Sequence, residues 1–153
     1  MKNLARVFIV VLLIISIACP AFAAETAFSH PSGKSDFRGL WVSTVVNIDY
    51  PVKPTTDPET LKKEAIRILD LAQDTGFNAV FLQVRPTADA FYKSQIFPWS
   101  KYLTGKQGVA PAGGFDPLEF WVTEAHKRGL ELHAWINPYR VTKKEAGQPA
   151  HDF

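Results

Sequence analysis

Residues 130–140 read Leu130-Glu131-Leu132-His133-Ala134-Trp135-Ile136-Asn137-Pro138-Tyr139-Arg140. In an extended strand successive side chains point to opposite faces. Leu130, Leu132, Ala134 and Ile136 therefore share one face, and Glu131, His133, Trp135 and Asn137 the other. The first face is aliphatic and suits a covering helix; the second carries large and polar groups toward its C-terminal end. Two earlier stretches repeat this. In residues 78–84, Val80, Leu82 and Val84 oppose Phe81, Gln83 and the following Arg85. In residues 39–46, Leu40, Val42 and Thr44 oppose Trp41, Ser43 and Val45. A doubly wound sheet buries aliphatic residues on both faces of its central strands. A closed parallel barrel instead turns one face inward and lines its site with groups at the strand tops. The two-sided pattern favours the barrel.

The segments between these strands read as helices. Thr56-Asp57-Pro58-Glu59 predicts a capping box with proline in the first turn. Leu61, Ala65, Ile68, Leu69 and Ala72 follow at helical spacing, and Gly76 is a natural stop. Asp116-Pro117-Leu118-Glu119 predicts a second cap with proline at the first helical position. Leu118, Trp121, Val122 and Ala125 make its buried stripe, and Gly129 ends it. Strand, helix, strand, helix, strand implies right-handed crossovers and a parallel sheet. The connections leaving the strand tops are long, about ten residues after the first and about thirty after the second, and that edge builds the site in such folds. The fold class expected is α/β, the first three β/α units of a (β/α)8 TIM barrel.

The chain opens differently. Lys2 and Arg6 supply positive charge, residues 7–18 form an almost unbroken apolar run, and Ala21-Phe22-Ala23 precedes Ala24 and Glu25. This is the pattern of a cleavable export signal over residues 1–23. Its apolar core of roughly 12 residues is shorter than the roughly 20 of a permanent membrane helix, which argues against an uncleaved anchor. Cys19 stands where a lipidation site would tether the mature chain, but Ser16 replaces the aliphatic residue usual three positions earlier. A membrane is a partner only if Cys19 is lipidated. Residues 24–36 read as a flexible polar leader, and residues 37–153 as the N-terminal part of the barrel. Without Cys19 the mature chain has no cysteine and no disulfide. Of the 17 basic residues, Lys2 and Arg6 leave with the signal, so 15 remain against 15 acidic ones. A neutral mature chain has no electrostatic footprint for nucleic acid. It is expected outside the cytoplasm, in the periplasm, the cell envelope or the medium.

On this frame the polar residues that follow each strand gather on one rim. Asn47-Ile48-Asp49-Tyr50-Pro51 leaves the first strand, Arg85-Pro86-Thr87-Ala88-Asp89 the second, and Asn137 and Arg140 close the third. Trp41, Tyr50, Trp135 and Tyr139 accompany them. Aromatic faces stack on the C–H face of a sugar ring while paired polar groups bind its hydroxyls. The candidate substrate-binding residues are Trp41, Asp49, Arg85, Asp89, His133, Trp135, Asn137 and Arg140, and Asp89 is the candidate for a catalytic role. Five of them have a structural alternative. Trp41 and Trp135 could fill the barrel, His133 could be a satisfied core histidine, and Arg85 with Asp89 could form an ion pair. Phe97 and Trp99 read as loop packing. No metal site or cofactor is expected. The four histidines are scattered, no Gly-rich phosphate loop follows a strand, and there is neither a G-x-S-x-G elbow nor a nucleophilic cysteine.

A family resemblance runs through the same residues. Phe37-Arg-Gly-Leu-Trp-Val-Ser43, Asp49-Tyr-Pro51, Gln83-Val-Arg-Pro-Thr-Ala-Asp-Ala-Phe-Tyr-Lys-Ser94, Pro98-Trp-Ser100, Leu103-Thr-Gly105, Phe115-Asp-Pro-Leu118 and Glu124-Ala-His-Lys-Arg-Gly-Leu-Glu-Leu-His-Ala-Trp-Ile-Asn-Pro-Tyr-Arg140 resemble the glycosyl hydrolase-like 10 family. Its members are bacterial exported or lipid-anchored TIM-barrel proteins. The resemblance implies hydrolysis of glycosidic bonds, with a polysaccharide or cell-wall glycan as partner; glycan stripped of its peptides is the substrate class attached to some members. The family continues with a further strand and an acidic, aromatic-rich Asp-Asp-Tyr-Phe-Tyr-Pro type segment, expected to carry catalytic carboxylates, and nothing here matches it.

Glycoside hydrolysis needs two carboxylates across the bond, about 5–5.5 Å apart for retention and about 6.5–9.5 Å for inversion. Asp49 and Asp89 are the plausible rim carboxylates, since Glu131 has inward parity but sits low on its strand. The acid and its partner are therefore expected downstream. A TIM barrel typically takes about 250 residues, so the chain is expected to be truncated after the third of eight strands and inactive alone. Two other readings stand beside the enzyme: a non-catalytic glycan-binding envelope protein, and a small independent α/β domain with a structural role.

Overall fold

The structure is a computed structural model that describes residues 36–141. The expected export signal, Cys19, the leader up to residue 35 and residues 142–153 lie outside the described residues. Strands β1 (Gly39–Val42), β2 (Ala79–Arg85) and β3 (Glu131–Ile136) form one parallel sheet in the order β1-β2-β3. Helix α1 (Pro58–Asp74) joins β1 to β2. The connection from β2 to β3 contains a one-turn helix, α2 (Lys101–Thr104), and then α3 (Pro117–Lys127).

Local chemistry sets the helix ends. Asp116 caps α3 as expected, accepting from the amides of Leu118 and Glu119 at 3.0 and 3.2 Å. Its other oxygen takes the Lys93 amide at 2.9 Å, which ties the long connection to the helix start. In α1 the cap is Asp57, one residue after the expected Thr56. Its two oxygens serve the amides of Glu59 and Thr60, whereas a threonine hydroxyl offers a single oxygen. Gly76 and Gly129 end the helices with φ of +81° and +69°, angles an L-residue avoids.

The aliphatic faces pack as the alternation requires. Val80, Leu82 and Val84 of β2 are buried against Leu61, Ala65 and Leu69 of α1 and Trp121 and Ala125 of α3. Each large aliphatic or aromatic side chain so covered contributes roughly 1.5–3 kcal/mol. Arg128, just past α3, clamps the two helices: it bonds Asp70 at 2.7 Å and Glu124 at 2.8 Å, and its carbonyl accepts from Gln73 at 3.0 Å.

Three expectations need correction. First, β1 ends at Val42 rather than at residue 46. The amides of Ser43, Thr44 and Val45 are taken by side chains, Asp49 in the first case and Gln83 in the other two, so they leave the ladder. Second, the long connection, read only for its length of about thirty residues, is regular in places. It holds α2, a bridge between Ala90 and Trp99 and a 3-10 turn at Ala112–Gly114, pieces too short to show a period. Third, Ala134 and Ile136, expected under a helix, are exposed. They lie at the C-terminal end of an edge strand, past Leu130 and Leu132, which pack into the core on the same face. The described architecture is thus an open parallel sheet of alternating β/α units.

Candidate functional site

The face opposite the helices carries an aromatic row. In register, Trp41 pairs with Phe81 and Phe81 with His133. The Trp41 ring stacks on Phe81 at 4.6 Å and 11°, and the His133 imidazole stacks on its other side at 4.7 Å and 22°. Trp135 meets Trp41 edge-on at 5.1 Å, and Phe37 meets Phe81 edge-on at 5.9 Å. Trp41 is 57% exposed, so its ring is open along much of its surface. Gly39 permits the stack, because a Cβ there would lie 2.6 Å from the Phe81 ring. His133 Nε2 is 3.0 Å from Glu131 Oε2, giving the imidazole a carboxylate partner at the start of β3.

At the C-terminal end of the strands the polar residues are fixed by specific bonds. Gln83 is 0% exposed, and its Oε1 accepts from the Thr44 and Val45 amides, both at 2.9 Å. Asn137 donates from Nδ2 to the Pro86 carbonyl at 3.0 Å and accepts from the Trp135 indole at 2.9 Å. Asp49 accepts from the Ser43 amide at 2.7 Å while remaining exposed. The Arg85 guanidinium lies over the Phe97 ring at 4.0 Å. Among the described residues no group of three or more His, Cys, Asp or Glu side chains converges to hold a metal.

The structure brings Trp41, His133 and Trp135 to one face, with Arg85 and Asn137 at the strand ends past a register shift and Asp49 at the exit of β1. Asp89 is 1% exposed and accepts from the Thr87 amide at 3.2 Å. The Arg85–Asp89 ion pair raised as an alternative is not formed. Arg140 and Tyr139 follow β3 in the open, with Tyr139 95% exposed. Tyr50, expected on the rim, is in the core instead, edge-on to Trp121 at 5.0 Å. Burial pushes its phenol well above the usual range, the Trp121 indole offsets part of this, and the Glu64 charge adds to it. Two site residues had been placed only by strand parity, Phe81 and Gln83. Neither belongs to a chemical motif, and alternation on the inward face was the signal for both.

Comparison with known proteins places the chain in a family. The model of the family described as glycosyl hydrolase-like 10 matches residues 36–150. The chain belongs to the glycosyl hydrolase-like 10 family. Glycosyl hydrolase YngK of Bacillus subtilis (strain 168) is 45% identical over 134 residues, covering 87% of this chain and 26% of that protein. Glycosyl hydrolase DigH of Escherichia coli (strain K12) is 37% identical over 151 residues, covering 88% of this chain and 34% of its own length. DigH of Shigella flexneri matches to the same extent. The chain thus spans 26% to 34% of the length of these curated relatives.

Proposed function

We propose that the chain is the N-terminal part of an exported glycoside hydrolase, forming the first three β/α units of a (β/α)8 barrel. It binds a polysaccharide, plausibly peptidoglycan-type cell-wall glycan, whose glycosidic bonds the whole protein hydrolyses. The observation that carries the reading is the open Trp41 ring stacked on Phe81, with Trp135 edge-on beside it. An aromatic face of this kind offers a sugar ring apolar contact, and Asp49, Arg85 and Asn137 supply polar groups around it. His133 and Arg140 complete the proposed binding set. Titrating the full chain with purified glycan strands while following tryptophan fluorescence tests it. A saturable change that Trp41→Ala abolishes is expected; absence of any change with folded protein removes the reading.

One observation favours a second reading, a non-catalytic glycan-binding envelope protein. The candidate catalytic carboxylate, Asp89, is 1% exposed and bonded to the Thr87 amide. Release of new reducing ends by a polypeptide of full relative length separates the two, since binding without release leaves only the second. Export is tested by the first residue of the chain recovered from cells. Ala24 supports cleavage of the proposed signal, and a lipid-modified Cys19 supports membrane tethering.

A further inference from the structure

Gln83 is wholly buried in β2, yet its side chain serves the loop that leaves β1. Its Oε1 accepts from the Thr44 and Val45 amides, both at 2.9 Å, and from the Ser43 hydroxyl at 3.2 Å. Two backbone N–H donors on one terminal atom require that atom to be the oxygen. The Gln83 carbonyl also accepts from the Thr44 hydroxyl at 2.8 Å. Nε2 is buried without an acceptor, so the side chain acts through its oxygen alone. Thr44 and Val45 are themselves buried, and without Gln83 their amides would have neither a protein acceptor nor water.

Residue 43 is the neck of this loop. The Ser43 amide donates to Asp49 Oδ2 at 2.7 Å, and its carbonyl accepts from the Asp49 and Tyr50 amides at 3.0 and 3.3 Å. The path of residues 43–45, fixed by Gln83, therefore sets where the Asp49 carboxylate stands. Asp49 is exposed, and among the described residues its Oδ1 takes no hydrogen bond or ion pair. It lines a cleft of about 280 Å³ together with Trp41. One oxygen is thus tied down and the other is open beside an exposed aromatic ring.

We propose that Gln83 is a positioning residue for glycan binding: through residues 43–45 it holds Asp49 beside the Trp41 ring, where Oδ1 accepts from a sugar hydroxyl. The inference rests on the glycan-binding reading above and adds a residue that never meets the sugar. A carboxylate fixed in advance gives up little rotamer freedom when the ligand arrives. A hydrogen bond to an ionised acceptor is also roughly twice as strong as a neutral one. Gln83 therefore contributes to affinity as well as to the fold.

The test titrates the full chain with purified glycan strands and follows tryptophan fluorescence. Gln83→Leu is close in shape but removes the acceptor, so residues 43–45 must shift to satisfy their amides. It is expected to weaken binding about tenfold. Gln83→Glu keeps an oxygen for those amides and gives up only the unused Nε2, so it should restore most of the affinity. Asp49→Asn should weaken binding too, and adding Gln83→Leu to it should cost nothing more, because two residues acting through one contact are not additive. The Ser43 amide proton resonance, set by its carboxylate partner, should move in Gln83→Leu as it does in Asp49→Asn. Should Gln83→Leu fail to fold, Thr44→Val loosens the same loop by removing only the hydroxyl bond to the Gln83 carbonyl, and it should weaken binding in the same sense. Parent-like binding by Asp49→Asn or by the folded loop variant overturns the positioning role and leaves the glycan reading standing. So do losses that add in full, or no recovery in folded Gln83→Glu. Absence of binding by the folded parent chain removes both.

Discussion

The indole N–H of Trp135 donates to Asn137 Oδ1 at 2.9 Å, and the same amide group donates from Nδ2 to the Pro86 carbonyl at 3.0 Å. The backbone amide of Asn137 also reaches the Arg85 carbonyl at 3.0 Å. One planar side chain thus holds an aromatic ring of the site against the end of β2, a task that needs a donor and an acceptor together. Asn137→Asp loses the donor and sets a carboxylate against a carbonyl; Asn137→Leu loses both bonds. Each is expected to cost about 1–3 kcal/mol of stability. Asn137→Leu should also free the Trp135 ring and weaken glycan binding at least about tenfold, whereas Asn137→Asp keeps an acceptor for the indole. Near-UV circular dichroism and a fluorescence titration check this, and unaltered tryptophan bands would show that the bond does not hold the ring.

Gly39 and Phe81 yield a prediction from shape alone. A Cβ on Gly39 would fall 2.6 Å from Phe81 Cε2, inside any normal contact. The ring cannot easily retreat, being sandwiched between Trp41 and His133 at 4.6 and 4.7 Å. Gly39→Ala should therefore cost about 1–3 kcal/mol by overpacking and disturb the whole row. The matching control is Trp41→Ala, which removes an exposed ring and should leave the melting temperature nearly unchanged while abolishing the fluorescence response to glycan. Equal melting temperatures for Gly39→Ala and the parent chain would contradict the packing argument.

The parts of this architecture visible in the sequence are those governed by neighbours along the chain. Alternation in residues 130–136 and 78–84 separates the helix-covered face from the aromatic one, and Asp116 before Pro117 marks the start of α3. Two of the misreadings involve partners far away in sequence. β1 stops early because Gln83, about forty residues on, captures the Thr44 and Val45 amides. Tyr50 lies in a segment that reads as a polar loop, yet Trp121 and Phe91 bury it. Asp89 stands at a spacing that suggests pairing with Arg85, but a turn two residues long bonds it to Thr87 first.

Val46 and Asn47 adopt φ of +58° and +56° in succession. For a β-branched residue this left-handed geometry is unusual, with a cost of roughly 1–2 kcal/mol. Asn47 offsets it by donating from Nδ2 to the carbonyls of Pro51 at 2.9 Å and Tyr102 at 2.6 Å, anchoring the turn. The Val46 side chain itself is exposed, so little packing is lost by changing it. Val46→Asn, a residue that tolerates this region, is expected to stabilise the chain by about 0.5–1.5 kcal/mol. Asn47→Ala should destabilise it by about 1–3 kcal/mol through two unmatched carbonyls. Thermal melts of the two variants should move in opposite directions, and a fall for both would mean that the turn is not strained at Val46.

Acid should weaken the helices through two identifiable carboxylates. The Asp57 carboxyl is held below its ordinary value chiefly by the Thr60 hydroxyl, with help from the Thr60 and Glu59 amides. That of Glu124 is held down first by Lys127 at 2.7 Å and then by Arg128 at 2.8 Å. A carboxyl whose folded value lies below its unfolded one stabilises fully above the unfolded value. That contribution disappears as pH falls through the folded value. With ordinary carboxyl values near 4, the melting temperature should be level from about pH 7 to about pH 5 and fall below about pH 4. Asp57→Asn preserves an effective cap but cannot titrate, and Glu124→Gln removes the charge that Arg128 and Lys127 share. The double variant should therefore begin slightly less stable at pH 7 and lose less on acidification than the parent chain. If the two acid profiles run parallel down to about pH 3, these contacts are not the source of the acid sensitivity.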